Sequence, residues 1–123
     1  MAKRPVNLDL STFQFPVTAI ASILHRISGF ILFVLIPFIL WLFSYSLKSP
    51  EHFQNLQAGF AHPLSKIIFL GIFLALFYHL LAGVRHLIMD TGWGEKLAQA
   101  RCSARIIIVV AVIATVCMGV YLW

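Results

Sequence analysis

An all-α membrane protein with three transmembrane helices is the fold that the sequence predicts, and three observations carry it. Of the 123 residues, 61% are hydrophobic and 11% charged, with a mean hydropathy of +0.95, far from the composition of ordinary soluble domains. The apolar residues gather into three long stretches, each approaching or exceeding the roughly 18 to 20 residues that cross a bilayer as helix. A soluble core in so short a chain has no use for three such stretches. The nine basic residues then fall unevenly between the stretches, as a topology signal does. The chain reads as one transmembrane domain, 1–123, with spans at about 20–47, 64–90 and 104–123.

Each element follows from local signals. Lys3 and Arg4 lead into a polar arm broken by Pro5 and Pro16. A signal peptide would show a short apolar core and a small-residue cleavage site instead, so the first span is expected to stay in the mature chain. Thr18 is the expected N-cap of a helix that begins before the membrane, carries Ser22, His25 and Arg26 at its inner edge, and starts its apolar run, to Leu47, at Ile27. Ser49-Pro50 and His62-Pro63 bracket an outer loop in which His52 and His62 are expected to be solvated. The second span covers Lys66 to Met89 and is ended by Thr91, Gly92 and Gly94; the third runs from Ile106 to Trp123. Cys102 is expected in the inner loop and Cys117 within the third span, at different membrane levels. Free thiols are the consequence.

Cytoplasmic flanks retain Lys and Arg. Lys3, Arg4 and Arg26 precede the first span, and Arg85, Lys96, Arg101 and Arg105 cluster around the connection between the second and third, whereas only Lys48 and Lys66 flank the other loop. The N-terminus and the 90–105 loop are therefore expected in the cytoplasm and the C-terminus in the periplasm. Trp41, Tyr45, Tyr121 and Trp123 fall near the outer ends of the first and third spans, where amphipathic rings favour the interface. The net charge of +5 is met by this topology signal alone, or with anionic lipid headgroups and an acidic docking partner. Nucleic acid is not needed to explain it.

The most informative single residue is His79, an imidazole in the middle of the apolar run Ile67 to Val84. An ionisable ring in lipid is costly and by default marks a functional site. His86 follows one heptad later on the same face, with Gly83 and Asp90, while Tyr78 and Arg85 form a neighbouring stripe. With Arg85 at the inner boundary, His79 lies six residues deeper, or ~9 Å. One deep imidazole beneath shallow cationic groups suits haem iron in the apolar layer with carboxylates at the interface. His79 and His86 are about two turns apart and cannot both bind one iron. A second axial ligand must come from elsewhere. The competing reading is an imidazole satisfied by a hydrogen bond in a helix interface. Gly71, Ala75 and Gly83 share the ridge with His79 and serve a flat ligand or a close helix equally. His86, Arg85 and Asp90 are individually better explained as an interfacial cap and ion-pair set than by a propionate role.

A second constellation is Ser22, His25, Arg26 and Gly29. A hydroxyl and a guanidinium facing inward at the membrane edge can hold a quinone carbonyl whose tail lies in lipid; a basic topology anchor is the plainer alternative. The sequence shows no hydrolytic triad, phosphate loop, zinc spacing or carboxylate pair, so catalysis by this chain alone is not expected.

Three motifs together have a specific counterpart: Arg4-Pro5-Val6-Asn7-Leu8-Asp9-Leu10, then Ser22-Ile23-Leu24-His25-Arg26-Ile27-Ser28-Gly29, then Tyr78-His79 followed by Gly83-Val84-Arg85-His86 and Asp90. With them the chain closely resembles, over essentially its whole length, the larger cytochrome b membrane-anchor subunit of bacterial succinate dehydrogenase, respiratory complex II. The resemblance implies that His79 is an axial ligand of haem b, shared with a small membrane-anchor subunit that supplies the other histidine. It implies ubiquinone binding by Ser22 and Arg26 beside the iron–sulfur subunit, and places His25, Arg26 and His86 near the haem propionates. The flavoprotein and iron–sulfur subunits, where succinate is oxidised, would dock on the cytoplasmic face of the bacterial inner membrane. A fumarate-reducing relative is the neighbouring case. Two readings from other classes stand beside it: a small oligomeric transporter or proton relay using His79 and Asp90, and a structural anchor whose histidines only pack. A reduced-minus-oxidised absorption spectrum separates them.

Overall fold

The computed structural model describes Phe15 to Trp123; Lys3, Arg4, Pro5 and the rest of the 4–10 motif lie outside the described residues. Four helices follow in order, α1 (Val17–Ser46), α2 (Pro50–Ala61), α3 (Pro63–Asp90) and α4 (Leu97–Leu122), and among the described residues there is no strand. Helices α1, α3 and α4, of 30, 28 and 26 residues, are each long and apolar enough to cross a membrane. At 1.5 Å per residue they extend about 39 to 45 Å, beyond the ~30 Å hydrocarbon layer. Their ends therefore reach the headgroup regions, where polar side chains are tolerated. Pro37 sits inside α1 without ending it, as membrane helices allow.

Two starts differ from the sequence expectation. Helix α1 begins at Val17 with Pro16 as its cap, and Thr18 lies within the first turn without a capping role. The Pro16 carbonyl accepts from the Ala19 and Ile20 amides at 2.9 and 3.2 Å, which sets the first turn ahead of the threonine. Helix α4 begins at Leu97, because Leu97, Ala98, Gln99, Ala100 and Arg101 are good helix formers that extend its N-terminal end. Cys102 thus lies in α4, not in a loop. Cys102 and Cys117 are both free and exposed, about 22 Å apart along one helix, too far to pair within the chain.

The connection between α1 and α3 is a helix, α2, where the sequence suggested a loop. Ser49 is extended, its Oγ accepts the His52 amide, and Pro50 occupies the first helical position with Glu51 in the first turn. His62 repeats the arrangement for α3: its Nδ1 accepts from the Leu64 amide at 3.3 Å ahead of Pro63. Both X-Pro pairs are helix starts, since proline's missing N–H costs nothing at that position. His52 is held rather than solvated, with Ser49 Oγ 2.7 Å from its Nδ1 and its ring edge-on to Tyr45 at 4.6 Å.

Helix α3 is central, with α1 and α4 each packed along it. The α3–α4 seam is built from Tyr78 and Ala82 against Ile107 and Ala111, continued by buried Ala104 and Ala100. Alanines let the two backbones approach closely, which is how helices associate in lipid. Buried Arg85 completes the end nearest the α3–α4 connection, donating from Nε to Ser103 Oγ at 2.9 Å and from Nη2 to the Ala100 carbonyl at 3.0 Å. At the opposite end Lys66 Nζ donates to the Leu122 carbonyl at 2.6 Å and lies over the Trp123 ring at 5.1 Å. Both ends of the seam are closed by a cation.

Candidate functional site

Polar groups meet between α1 and α3, inside otherwise apolar helices. Tyr78, buried, donates its hydroxyl to the Ala21 carbonyl at 2.7 Å and so fixes α3 against α1. One residue on, the His79 ring stacks on His25 with centroids 4.2 Å apart and planes 11° from parallel. The His25 ring also meets His86 at 5.2 Å. Three imidazoles from two helices thus form one cluster. His79 and His86 share a face of α3, and the packing of α1 on α3 sets His25 opposite them.

Nδ1 of His79 lies 3.1 Å from the His25 carbonyl oxygen and 3.1 Å from Ser28 Oγ. The Ser28 hydroxyl itself donates to the His25 carbonyl at 2.9 Å. A carbonyl can only accept, so the bond requires the proton on Nδ1, and a neutral ring then keeps its lone pair on Nε2. The ring reaches this position because residue 29 is glycine. A Cβ there would stand 2.8 Å from His79 Cε1 and 3.3 Å from Nδ1, inside van der Waals contact. Gly83 plays a milder part, a Cβ there falling 3.5 Å from His25 Nε2. That nitrogen is buried and has no hydrogen-bond partner.

The histidines expected at the site, His25, His79 and His86, are brought together. Ser22 and Arg26 share a stripe of α1, Ser22 half-buried and Arg26 exposed, and neither bonds to another described side chain. Arg85 is turned away from the histidines and bonded to α4, so it forms no ion pair with exposed Asp90. The Gly71 end of the small-residue ridge meets nothing, a Cβ there having open space, whereas a Cβ at Gly83 would approach the cluster. Ser28 was not singled out by spacing. Its signal was a hydroxyl three residues after His25 in an apolar run, legible only once the register of α1 on α3 is known. Among the described residues no group of three or more His, Cys, Asp or Glu side chains is arranged to hold a metal ion.

Comparison with known proteins bears on this cluster. Residues 1–118 match the family model described as succinate dehydrogenase/fumarate reductase transmembrane subunit. The chain is 45% identical to the succinate dehydrogenase cytochrome b556 subunit of Coxiella burnetii (strain RSA 493 / Nine Mile phase I), over 99% of this chain and 98% of that one. It is 37% identical to the cytochrome b556 subunit of Paracoccus denitrificans over 92% and 87%, and 29% identical to the cytochrome b560 subunit of Reclinomonas americana over 91% and 81%. A match along nearly the full length, on a bundle of three apolar spans with an imidazole cluster between two of them, leaves one assignment: the chain belongs to the succinate dehydrogenase/fumarate reductase transmembrane-subunit family.

Proposed function

We propose that this chain is the haem-binding anchor of a succinate:quinone oxidoreductase, with His79 as an axial ligand of haem b and Ser22 and Arg26 on the ubiquinone-reduction site. The observation that carries the reading is the acceptor-only carbonyl of His25, 3.1 Å from His79 Nδ1. A metal-bound histidine characteristically gives its other N–H to such an acceptor, which fixes the tautomer and aims the free nitrogen. The residues fit the group in two further ways. Gly29 lets the ring seat against α1, and the orphaned Nε2 of His25 has hydrogen-bonding capacity to give to a propionate, with His86 and Arg26 as its neighbours towards the same edge.

When bound, haem b supplies a one-electron centre whose potential is set by its ligands and their burial. This chain's own residues do the rest. His79 would hold the group through one nitrogen, and a small anchor subunit would supply the other histidine. Arg26, exposed on α1, presents a guanidinium to a quinone carbonyl, stabilising negative charge as the ring is reduced, and Ser22 one turn earlier adds a hydroxyl donor. Electrons from succinate oxidation in the flavoprotein and iron–sulfur subunits reach the quinone at this edge. That edge is the cytoplasmic face of the bacterial inner membrane, as the clustering of Arg85, Lys96, Arg101 and Arg105 supports.

One experiment tests both halves in the assembled complex. The reduced-minus-oxidised spectrum is expected to show a low-spin b-type haem that is lost in His79→Leu; an unchanged spectrum removes the ligand assignment. In Arg26→Leu, quinone reductase activity is expected to fall by about 10²-fold or more, the usual effect of removing one donor to a developing negative charge. Normal activity there removes the quinone role. A colourless complex with transport activity would favour the proton-relay reading through His79 and Asp90.

A further inference from the structure

We infer that Ser28 is the positioning residue of His79, sharing its Nδ1 proton with the His25 carbonyl and thereby setting both the orientation of the ring and the donor strength of Nε2. The inference rests on the haem reading above and adds to it the group that tunes the ligand.

Ser28 is buried in an apolar layer, where a hydroxyl without a partner is costly. Its proton goes to the carbonyl one turn back, His25 O at 2.9 Å, which leaves the oxygen lone pairs of Oγ to accept. They face His79 Nδ1 at 3.1 Å, the same separation as the carbonyl itself. The ring N–H therefore sits in a fork of two acceptors, one backbone and one side chain, presented by consecutive turns of α1. Turning the ring over would set a C–H against both oxygens and lose both bonds, so the fork holds one orientation. The next residue, Gly29, is what lets the ring come close enough to use it. Ser28 and Gly29 act as a pair: one provides the acceptor, the other the room.

The fork has an electronic consequence. Hydrogen bonding from the far N–H raises the basicity of a metal-binding imidazole, and a stronger donor favours the oxidised, more highly charged iron. Removing Oγ leaves one acceptor in place of two, so the midpoint potential is expected to rise. A merely structural serine would affect assembly without moving that potential.

The test uses the assembled complex carrying Ser28→Ala and Ser28→Thr, read by haem content, redox titration and the electron paramagnetic resonance of the oxidised low-spin haem, whose anisotropy reports ring orientation. Ser28→Ala is expected to retain haem, raise the midpoint potential and change the anisotropy. Ser28→Thr, whose Oγ1 can bond the same preceding carbonyl, is expected to restore both. A Ser28→Ala complex with the potential and anisotropy of the parent overturns the proposal. Should that variant not assemble, Ser28→Cys, a weak acceptor of similar size, takes its place; a smaller upward shift supports the proposal and no shift overturns it. The two readings fail separately. Absence of low-spin haem from the parent, or its persistence in His79→Leu, removes the ligand assignment itself, whereas haem lost in His79→Leu but unmoved in Ser28 variants removes the role of Ser28 alone.

Discussion

Helix α3 carries ionisable groups on two faces, and the two are treated oppositely. On the α4 side, Arg85 is buried and spends Nε and Nη2 on Ser103 and the Ala100 carbonyl of the same bundle. On the α1 side, His79 uses only Nδ1 among the described residues, and stacked against it His25 keeps an orphaned Nε2. Charge or polarity in an apolar helix marks function by default. This pair shows that the default needs a second criterion, namely whether the hydrogen-bonding capacity of the group is consumed inside the fold. Arg85 closes a seam; the imidazoles keep hydrogen-bonding capacity unused. The neighbouring residues agree, with alanines on the α4 side and glycines on the α1 side at the points of closest approach.

The sharpest way to break the contrast is to fill the space that only the α1 side needs. Gly29→Val places a Cβ 2.8 Å from His79 Cε1 and adds two methyl groups beyond it. Overpacking of this kind costs about 1–3 kcal/mol or more, and here it falls on the ring whose Nδ1 must meet its acceptors. Near-complete loss of low-spin haem is the expected result, measured as pigment per assembled complex. Gly71→Ala on α3 is the control, since a Cβ at that position meets nothing, and its spectrum is expected to match the parent. Equal pigment in the two variants would erase the distinction between a close-approach glycine and an incidental one.

That the chain holds three long apolar helices was legible because apolar run length is a strong signal, whereas the start of α4 at Leu97 was not. Helix α2 was not legible. Its Pro50, Gln54, Asn55, Gln57 and Gly59 read as loop composition, and the caps at Ser49 and His62 that make it a helix resemble loop punctuation until their side chains are seen to accept from His52 and Leu64. His79 stood out, as an imidazole in lipid must. The roles of Arg85 and Ser28 did not, because each depends on which helix lies opposite. Spacing places Arg85 on a stripe beside the histidines; only packing turns it to α4. Ser28 sits one turn past His25, and its value appears only when the His79 ring arrives beside it.

A smaller effect is expected on the closed side. Arg85→Lys keeps the charge but loses the planar fork that reaches Ser103 Oγ and the Ala100 carbonyl together, so one of two charge-assisted bonds is lost at about 1.5–3 kcal/mol. The complex is expected to melt at lower temperature while its haem spectrum and midpoint potential stay where they were. A spectral change would mean that the α4 seam and the histidine cluster are one unit.

The smallest expected effect falls on the residue that joins the two sides. Tyr78 packs in the α3–α4 cluster through its ring and reaches α1 through its hydroxyl, which donates to the Ala21 carbonyl at 2.7 Å. Tyr78→Phe keeps the ring and removes only that bond, worth about 0.5–1.5 kcal/mol. If the cluster is held chiefly by the His79 fork and the Gly29 contact, this variant is expected to lose a little thermal stability and no haem. If instead the tyrosine sets the register of α3 on α1, the Nδ1 acceptors move with it, and the midpoint potential shifts as it does in Ser28→Ala. Redox titration of Tyr78→Phe beside Ser28→Ala decides between the two. An unshifted potential in the first and a raised one in the second locates control of the ligand in α1 residues 28 and 29 rather than in the general fit of the helices.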